Sequence, residues 1–237
     1  MLQKIGRFST KCPPVDKMLH GGFPSGQVSL IYGEAGTGKT TFLLQCVITC
    51  VEKGQKAFFI DADGAFSTNR LRQMAGSNLE EITPSIGIFS PRDFYEQTVL
   101  VENLDRFITP KVGLLVVDTI NRLYRLSLSD LKYSVTLSKE LSRQLGYLTQ
   151  IAKIFNLPVL LTSQVRGIVN NNLLSEKTEP VATRTLNFWS SNILHLKASH
   201  KEGVKIVSLE KHLGRKISNI FCKFKIFEYG ISEVDFY

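Results

Sequence analysis

Short runs of apolar residues recur along the chain and alternate with longer, more polar segments. The runs cover residues 28–32, 57–60, 86–89, 113–117, 158–162, 193–196, 204–209 and 221–227. The first five are separated by helix-like stretches, which predicts a parallel β-sheet with helices on both faces. The last three lie close together with glycine-containing turns between them, which predicts antiparallel strands at one edge.

The clearest helical pattern lies between the fourth and fifth apolar runs. Its apolar residues recur at steps of four or three: Leu137, Leu141, Leu145, Leu148, Ala152 and Phe155. This spacing predicts an amphipathic helix. The helix should end at Asn156 and Leu157, because the residue before a proline avoids helical geometry. Residues 164–181 show no such period and predict a long irregular loop, a feature that is usually functional or disordered.

The segment after the first run carries the strongest chemical signal. It matches the phosphate-binding pattern G-x-x-x-x-G-K-[ST] between a strand and a helix, through Gly33, Glu34, Ala35, Gly36, Thr37, Gly38, Lys39 and Thr40, with Thr41 next in the helix. Glycines allow main-chain amides to curl around a triphosphate, and the helix N-terminus adds a favourable dipole. Lys39 would reach the β- and γ-phosphates and the Thr40 hydroxyl would hold Mg²⁺. The pattern predicts a nucleoside triphosphate site.

Polar residues end three further strands. Asp118 follows an apolar run and is placed as a second Mg²⁺ ligand beside Thr40. Asp61 and Asp63 end another run, and one of them is a candidate to orient the water that attacks the γ-phosphate; the alternative is that both cap the helix that follows. Gln164 ends a fourth run, either as a sensor of the γ-phosphate or as a polar strand cap.

Composition allows a polyanionic partner but does not establish one. The chain has 237 residues, 43% of them hydrophobic, and a net charge of +8. This size suits a single α/β domain. No apolar run is long enough to span a bilayer, and no secretory signal precedes the first strand, so we expect a cytoplasmic protein. The basic balance suits a polyanion through counterion release, but it equally suits solvated helix faces.

Several segments together resemble the RecA/RadA recombinase superfamily and, within it, the archaeal RadB family of short RadA paralogues. The similarity extends over nearly the whole chain. It rests on residues 9–16, 21–26, the phosphate loop, 59–67 with Arg70 and Leu71, 118–120, 138–145 and 163–165. The phosphate loop occurs in many folds, whereas the combination of these segments is selective.

The resemblance implies a RecA-like P-loop ATPase core that spans residues 1–237 as one domain, without an N-terminal helix-hairpin-helix domain. Its α/β architecture would be a mostly parallel twisted sheet flanked by helices, with antiparallel strands at the C-terminal edge. It implies ATP and Mg²⁺ as cofactors, Arg70 near the adenine, and Lys39, Asp63 and Gln164 as catalytic residues. It also implies a role in DNA recombination and repair, close to the nucleoid.

Two loops of the family approach DNA, and the matching positions here are 121–125 and 166 to about 178. Arg122, Arg125 and Arg166 are therefore candidate phosphate contacts, and Tyr124 is a candidate for stacking on a base. The alternative for each arginine is a solvated surface charge. Single-stranded DNA is the expected partner, with double-stranded DNA left open, alongside a main RadA-type recombinase and other repair proteins.

Two departures from the family shape the expected activity. Asp63 stands where family members with brisk turnover carry glutamate, so its carboxylate would sit short of the attacking water, and misplacement by ~1 Å can lower a rate ~100-fold. The core also begins near residue 8, so the linker that joins recombinases into filaments has no place before it. We expect tight ATP binding, weak DNA-dependent hydrolysis and an accessory or mediator role, with oligomers left open and long filaments not expected.

Another class of function stays open at this point. A KaiC-like signalling ATPase would act through protein partners without DNA. Such proteins carry adjacent glutamates at the catalytic strand, whereas Asp63 is followed by a glycine. Binding of single-stranded DNA that weakens steeply with salt would favour the recombination function.

Overall fold

The computed structural model describes residues 6–128, 134–168, 177–180 and 182–234. The strands of these ranges are β1 (Arg7–Phe8), β2 (Phe23–Pro24), β3 (Val28–Gly33), β4 (Lys56–Asp61), β5 (Ile86–Phe89), β6 (Val112–Asp118), β7 (Val159–Ile168), β8 (Lys177–Pro180), β9 (Asn192–Ala198), β10 (Val204–His212), β11 (Arg215–Phe227) and β12 (Gly230–Glu233). The α-helices are α1 (Pro13–Met18), α2 (Lys39–Glu52), α3 (Thr68–Ala75), α4 (Leu79–Ile82), α5 (Phe94–Glu102), α6 (Arg122–Ser127), α7 (Ser134–Phe155) and α8 (Thr183–Trp189). Short 3-10 turns lie at Gly76–Asn78, Thr83–Ser85 and Leu104–Arg106.

One large sheet organises the molecule. Its strand order is β12-β11-β10-β9-β3-β7-β6-β4-β5, and β8 pairs with β7 off this path. The six strands from β9 to β5 run parallel, while β10, β11 and β12 continue the sheet antiparallel. The predicted fold class, a mostly parallel sheet with an antiparallel C-terminal edge, is thereby confirmed.

Each face of the sheet carries its own apolar core. One core contains α1 and α2 and includes Phe42 and Leu43 of α2 with Phe59 and Phe224 of the sheet. The other contains α5 to α8, with Leu141, Leu145 and Leu148 of α7 fully buried. Strands buried on both faces explain why the central runs read as continuous apolar segments and not as alternating ones.

The structure refines two predictions from the sequence. The run 193–196 was grouped with the antiparallel strands, but β9 pairs parallel with β3 and antiparallel with β10, so it is the junction between the two kinds of pairing. The segment 164–181 was predicted to be an irregular loop, but the structure continues β7 to Ile168 and pairs it antiparallel with β8.

The predicted helix over 137–155 is confirmed as α7, which ends before Asn156 with its φ of 49°. In the ranges that the structure covers, no helix has the length and apolar character needed to cross a bilayer.

Candidate nucleotide site

The loop between β3 and α2 uses glycine where a side chain would not fit. A Cβ on Gly33 would lie 2.2 Å from the carbonyl oxygen of Leu196, and one on Gly38 would lie 2.4 Å from Cδ1 of Ile226. Gly36 and Gly38 have φ of 73° and 96°, a region that glycine adopts readily. Backbone of this kind directs successive amides into one concavity, which suits phosphate oxygens. The loop therefore fits the predicted triphosphate.

Lys39 is buried beneath this loop and braces it. Only 8% of the residue is exposed, and its Nζ donates to the carbonyl oxygens of Gly33 (2.8 Å) and Glu34 (2.7 Å). The Thr37 hydroxyl also donates to the Glu34 carbonyl at 2.8 Å. Burial lowers the pKa of Lys39, and the nearby carboxylates of Asp118 and Asp63 oppose that shift. Residues 34–36 are exposed and form the outer rim of the loop.

Thr40 and Asp118 meet at the inner side of the loop, as the sequence predicted. The Thr40 hydroxyl donates to Oδ2 of Asp118 at 2.6 Å, and the Thr162 hydroxyl donates to Oδ1. Asp118 is 1% exposed, and its burial raises the pKa of the carboxyl while the hydrogen bonds from Thr162 and Thr40 oppose the rise. A hydroxyl and a carboxylate side by side are oxygen donors of the kind that Mg²⁺ takes. Thr41, the next residue in α2, is half-buried.

The two acids that follow β4 have different surroundings. The Asp61 carboxylate accepts hydrogen bonds from the amides of Ala65 (2.9 Å) and Phe66 (3.1 Å), so this residue caps the turn after the strand. β4 ends at Asp61. Asp63 therefore lies beyond the strand, and its amide donates to the main-chain oxygen of Asp118 at 3.1 Å. The structure thus brings Asp63 next to the candidate metal ligand and leaves Asp61 as a cap.

Asp63 is joined to Gln164 and to an arginine of α6. Gln164 was expected to end its strand, but it lies within β7, paired with Gly33 of β3. Its Nε2 donates to Oδ2 of Asp63 at 3.0 Å. Arg122 Nη1 forms an ion pair with Oδ1 of Asp63 at 3.0 Å and donates to its main-chain oxygen at 2.6 Å. Arg125 Nη1 donates to Oε1 of Gln164 at 3.4 Å. Candidate catalytic residues and candidate DNA contacts therefore form one connected group.

The expectation that Tyr124 lies on the surface is wrong. Tyr124 was predicted to stack on a DNA base, but it is 6% exposed, its ring packs edge-on against Phe94, and its hydroxyl bonds to Ser138 at 2.9 Å. Its ring faces are therefore in the core and not on the surface. Arg166 lies in β7, while its side chain falls outside what the structure describes.

Arg70 lies on α3 and contacts the far edge of the sheet. Its guanidinium donates to the carbonyl oxygens of Phe227 (2.6 Å) and Glu228 (3.0 Å), in the turn between β11 and β12. That turn follows Ile226, whose side chain lies against Gly38 of the phosphate loop. The contact of Arg70 with adenine stays a prediction.

Sequence reasoning missed two residues of this site. Thr162 binds Asp118 from the neighbouring strand. The sequence could have indicated this role, because Thr162 is a polar residue in the buried apolar run 158–162. Ile226 closes over Gly38 from β11, which is nearly 190 positions away in sequence. No local pattern could have placed it there.

Comparison with known proteins identifies the family of the chain. The Rad51 family model matches residues 2–234. A DNA repair and recombination protein RadB of Methanococcoides burtonii is 37% identical over 94% of this chain and 96% of its own length. The RadB of Thermococcus kodakarensis is 36% identical over 96% of this chain and 99% of its own length. A crystal structure described as that of the RadB recombinase matches 96% of this chain and 100% of its own with a TM-score of 0.79 and 35% identity. The chain therefore belongs to the Rad51 family, and its similarity to RadB proteins extends over almost its entire length.

Proposed function

We propose that the chain binds ATP, Mg²⁺ and DNA and acts as an accessory protein of homologous recombination and DNA repair, with weak DNA-dependent ATPase activity. The observation that carries the nucleotide site is the 2.6 Å bond between Thr40 and Asp118 beside the buried Lys39. The names of the RadB relatives support the role in recombination and repair. The proposed place of action is the cytoplasm, next to the nucleoid.

Each part of the site has its own proposed task on the triphosphate. The main-chain amides of residues 34–38 and the Lys39 ammonium would bind the β- and γ-phosphates, and Arg70 would lie near the adenine. The Thr40 hydroxyl and the Asp118 carboxylate would hold Mg²⁺, which neutralises charge on the phosphates when bound.

Hydrolysis would depend on Asp63 and Gln164. Asp63 would accept a hydrogen bond from the attacking water, and Gln164, at 3.0 Å from Asp63, would donate to the γ-phosphate. An aspartate places its carboxylate about one C–C bond short of where a glutamate would, and a misplacement of ~1 Å can cost ~100-fold in rate. ATP would then act mainly as a ligand that selects a conformation. This favours a mediator role beside a RadA-type recombinase over strand exchange by the chain itself.

The DNA contacts proposed are the guanidinium groups of Arg122, Arg125 and Arg166. Arg122 is 47% exposed at its side chain, at the same edge of the sheet as the nucleotide loop. Arginine binds phosphate through a planar array of donors, which suits a DNA backbone. Single-stranded DNA is the proposed substrate, with double-stranded DNA as a second form to be tested.

The substitution Lys39→Ala tests the nucleotide site directly. A hydrogen bond to a charged group contributes about 1.5–3 kcal/mol. We therefore expect the affinity for Mg-ATP, measured by calorimetry, to fall by about 10- to 100-fold. Lys153→Ala is the matched control, because Lys153 is exposed near the end of α7. Retention of the affinity by Lys39→Ala would overturn the assignment of the loop.

The same samples separate the recombination function from the signalling alternative. We expect measurable binding of a single-stranded oligonucleotide and a higher rate of phosphate release in its presence. ATP binding without DNA binding and without stimulation would favour a KaiC-like signalling ATPase instead.

A further inference from the structure

We propose that Arg122 restrains Asp63, and that binding of a DNA phosphate by Arg122 releases the carboxylate for hydrolysis. This inference rests on the proposed ATPase function and names its regulation. It follows from a group of four side chains that joins the two candidate catalytic residues to two candidate DNA contacts.

The group forms a closed arrangement. Arg122 pairs with Oδ1 of Asp63, Oδ2 of Asp63 accepts from Gln164, and Oε1 of Gln164 accepts from Arg125. Arg122 and Arg125 are three residues apart on α6, so one helix supplies both ends of the group. A movement of α6, or of either guanidinium, therefore changes the partners of both Asp63 and Gln164.

The contacts of Asp63 with Arg122 and Gln164 oppose the role proposed for its carboxylate. A group that orients an attacking water must accept a hydrogen bond from it. In this structure one oxygen of Asp63 is paired with a cation and the other accepts from an amide. Arg122 therefore holds Asp63 in an arrangement less suited to water activation.

Arg122 is placed to exchange this partner for another anion. Its side chain is 47% exposed, whereas that of Asp63 is 13% exposed, so the guanidinium is the accessible member of the pair. A half-exposed ion pair contributes little to stability, because water screens it. A DNA phosphate offers a bidentate, charge-assisted alternative. A DNA phosphate can therefore displace Asp63 from Arg122 with little loss of stability. The displaced carboxylate is then free to face the triphosphate.

Arg122→Ala tests the restraint by its effect on turnover without DNA. Loss of a half-exposed ion pair corresponds to a rise of about two- to fivefold in that rate. We also expect the ratio of DNA-stimulated to basal turnover to fall towards one, because DNA no longer has this pair to break. Arg92→Ala is the matched control, since Arg92 forms an exposed ion pair with Glu96 on α5, away from the site. Arg122→Lys keeps the charge, so we expect it to raise the basal rate less than Arg122→Ala does.

A second variant shows whether the released group is Asp63. Arg122→Ala combined with Asp63→Ala should be as slow as Asp63→Ala alone, and a faster double variant would overturn the assignment. Urea midpoints of all variants exclude a general loss of fold.

The outcomes distinguish this inference from the proposed function. If DNA binds and stimulates the wild type but Arg122→Ala leaves basal turnover unchanged or lower, the restraint is wrong and the proposed function stands. If DNA neither binds nor stimulates the wild type, the proposed function fails, and DNA is overturned as the releasing ligand. In that case a higher basal rate in Arg122→Ala would still support the restraint itself.

Discussion

Asp61 and Asp63 are two positions apart, yet their carboxylates have different partners. Asp61 accepts two main-chain amides and is fixed as a cap, while Asp63 contacts the side chains of Gln164 and Arg122. The sequence offered both residues as candidates, because a strand period would place them on one face. The strand ends at Asp61, so that period does not extend to Asp63. Where a strand ends is set by tertiary contacts that the sequence pattern does not contain.

Asp63→Glu tests the proposed cause of slow turnover. The extra methylene lengthens the side chain by about one C–C bond, so we expect phosphate release to speed up, by up to ~100-fold if misplacement is the whole cause. Steady-state phosphate release with saturating Mg-ATP and single-stranded DNA is the measurement. Asp61→Glu serves as the comparison, because that carboxylate caps a turn, and it should not accelerate turnover. An unchanged or slower rate in Asp63→Glu would discard this explanation.

His212 predicts a dependence of stability on pH. It is 8% exposed, and neither ring nitrogen has a hydrogen-bond partner within the described part of the chain. Burial lowers its pKa below 6.5, with contributions from Arg7 and from His20, whose ring lies 5.4 Å away. Below about pH 6.5 the unfolded chain therefore binds a proton that the folded chain does not, so stability falls as the solution is acidified.

The size of this effect is bounded and can be measured. One proton changes the free energy of unfolding by at most ~1.4 kcal/mol per pH unit. Urea unfolding at pH 7.5 and pH 5.5 should show a smaller loss for His212→Leu than for the wild type. His200→Asn, a change at an exposed histidine, should behave as the wild type does. If His212→Leu and the wild type lose equal free energy of unfolding between pH 7.5 and pH 5.5, His212 is not the cause of the pH dependence.

Among the elements, the long strands and α7 follow directly from hydrophobic pattern, whereas α6 does not. The central runs are buried on both faces, and α7 is long enough for its period to be visible. α6 has six residues, which is too short for a reliable period. Its Arg122 and Arg125 share one side while Leu123 and Tyr124 face the core, which explains why Tyr124 was misplaced on the surface. Two-residue β1 and β2 escaped prediction for the same reason of length.

The junction of β3 with the phosphate loop should not tolerate a side chain at position 33. Gly33 pairs with Leu196 of β9, and a Cβ would meet the carbonyl oxygen of that residue at 2.2 Å. Because this oxygen belongs to the backbone of a central strand, we expect Gly33→Ala to lower the free energy of unfolding by about 3 kcal/mol.

Gly36→Ala is the matched control in the same loop. Position 36 has a φ of 73° but open space within 4 Å, so the substitution meets backbone strain alone. That strain costs about 1–2 kcal/mol, partly offset by the loss of backbone freedom in the unfolded chain. Urea unfolding should give a clearly lower free energy of unfolding for Gly33→Ala than for Gly36→Ala. The reverse order would mean that β9 moves easily away from β3.

At the scale of the whole molecule, one sheet brings together residues from most of the chain. The phosphate loop, Asp63 and Asp118 lie at the carboxyl ends of β3, β4 and β6, and Gln164 lies within β7 beside the end of β3. Open parallel sheets bind ligands at this edge. Strand order places these ends side by side, so the sequence could predict the set of residues. It could not predict that α6 would place Arg122 against Asp63, because that contact joins residues 59 positions apart and depends on how α6 packs.

The net charge of +8 leaves two explanations for DNA affinity, a diffuse basic surface or a few specific arginines. The salt dependence of binding separates them, because each phosphate neutralised on a single strand contributes about −0.7 to the slope of log K against log salt. If Arg122 and Arg125 each neutralise one phosphate, replacing both by alanine should make the slope shallower by about 1.4 units and weaken binding. Replacing Arg92 and Arg143, which form exposed ion pairs elsewhere, removes the same charge and should leave the slope close to that of the wild type. Equal changes of slope in the two double variants would mean that DNA affinity depends on the total charge. In that case α6 would not be the contact surface.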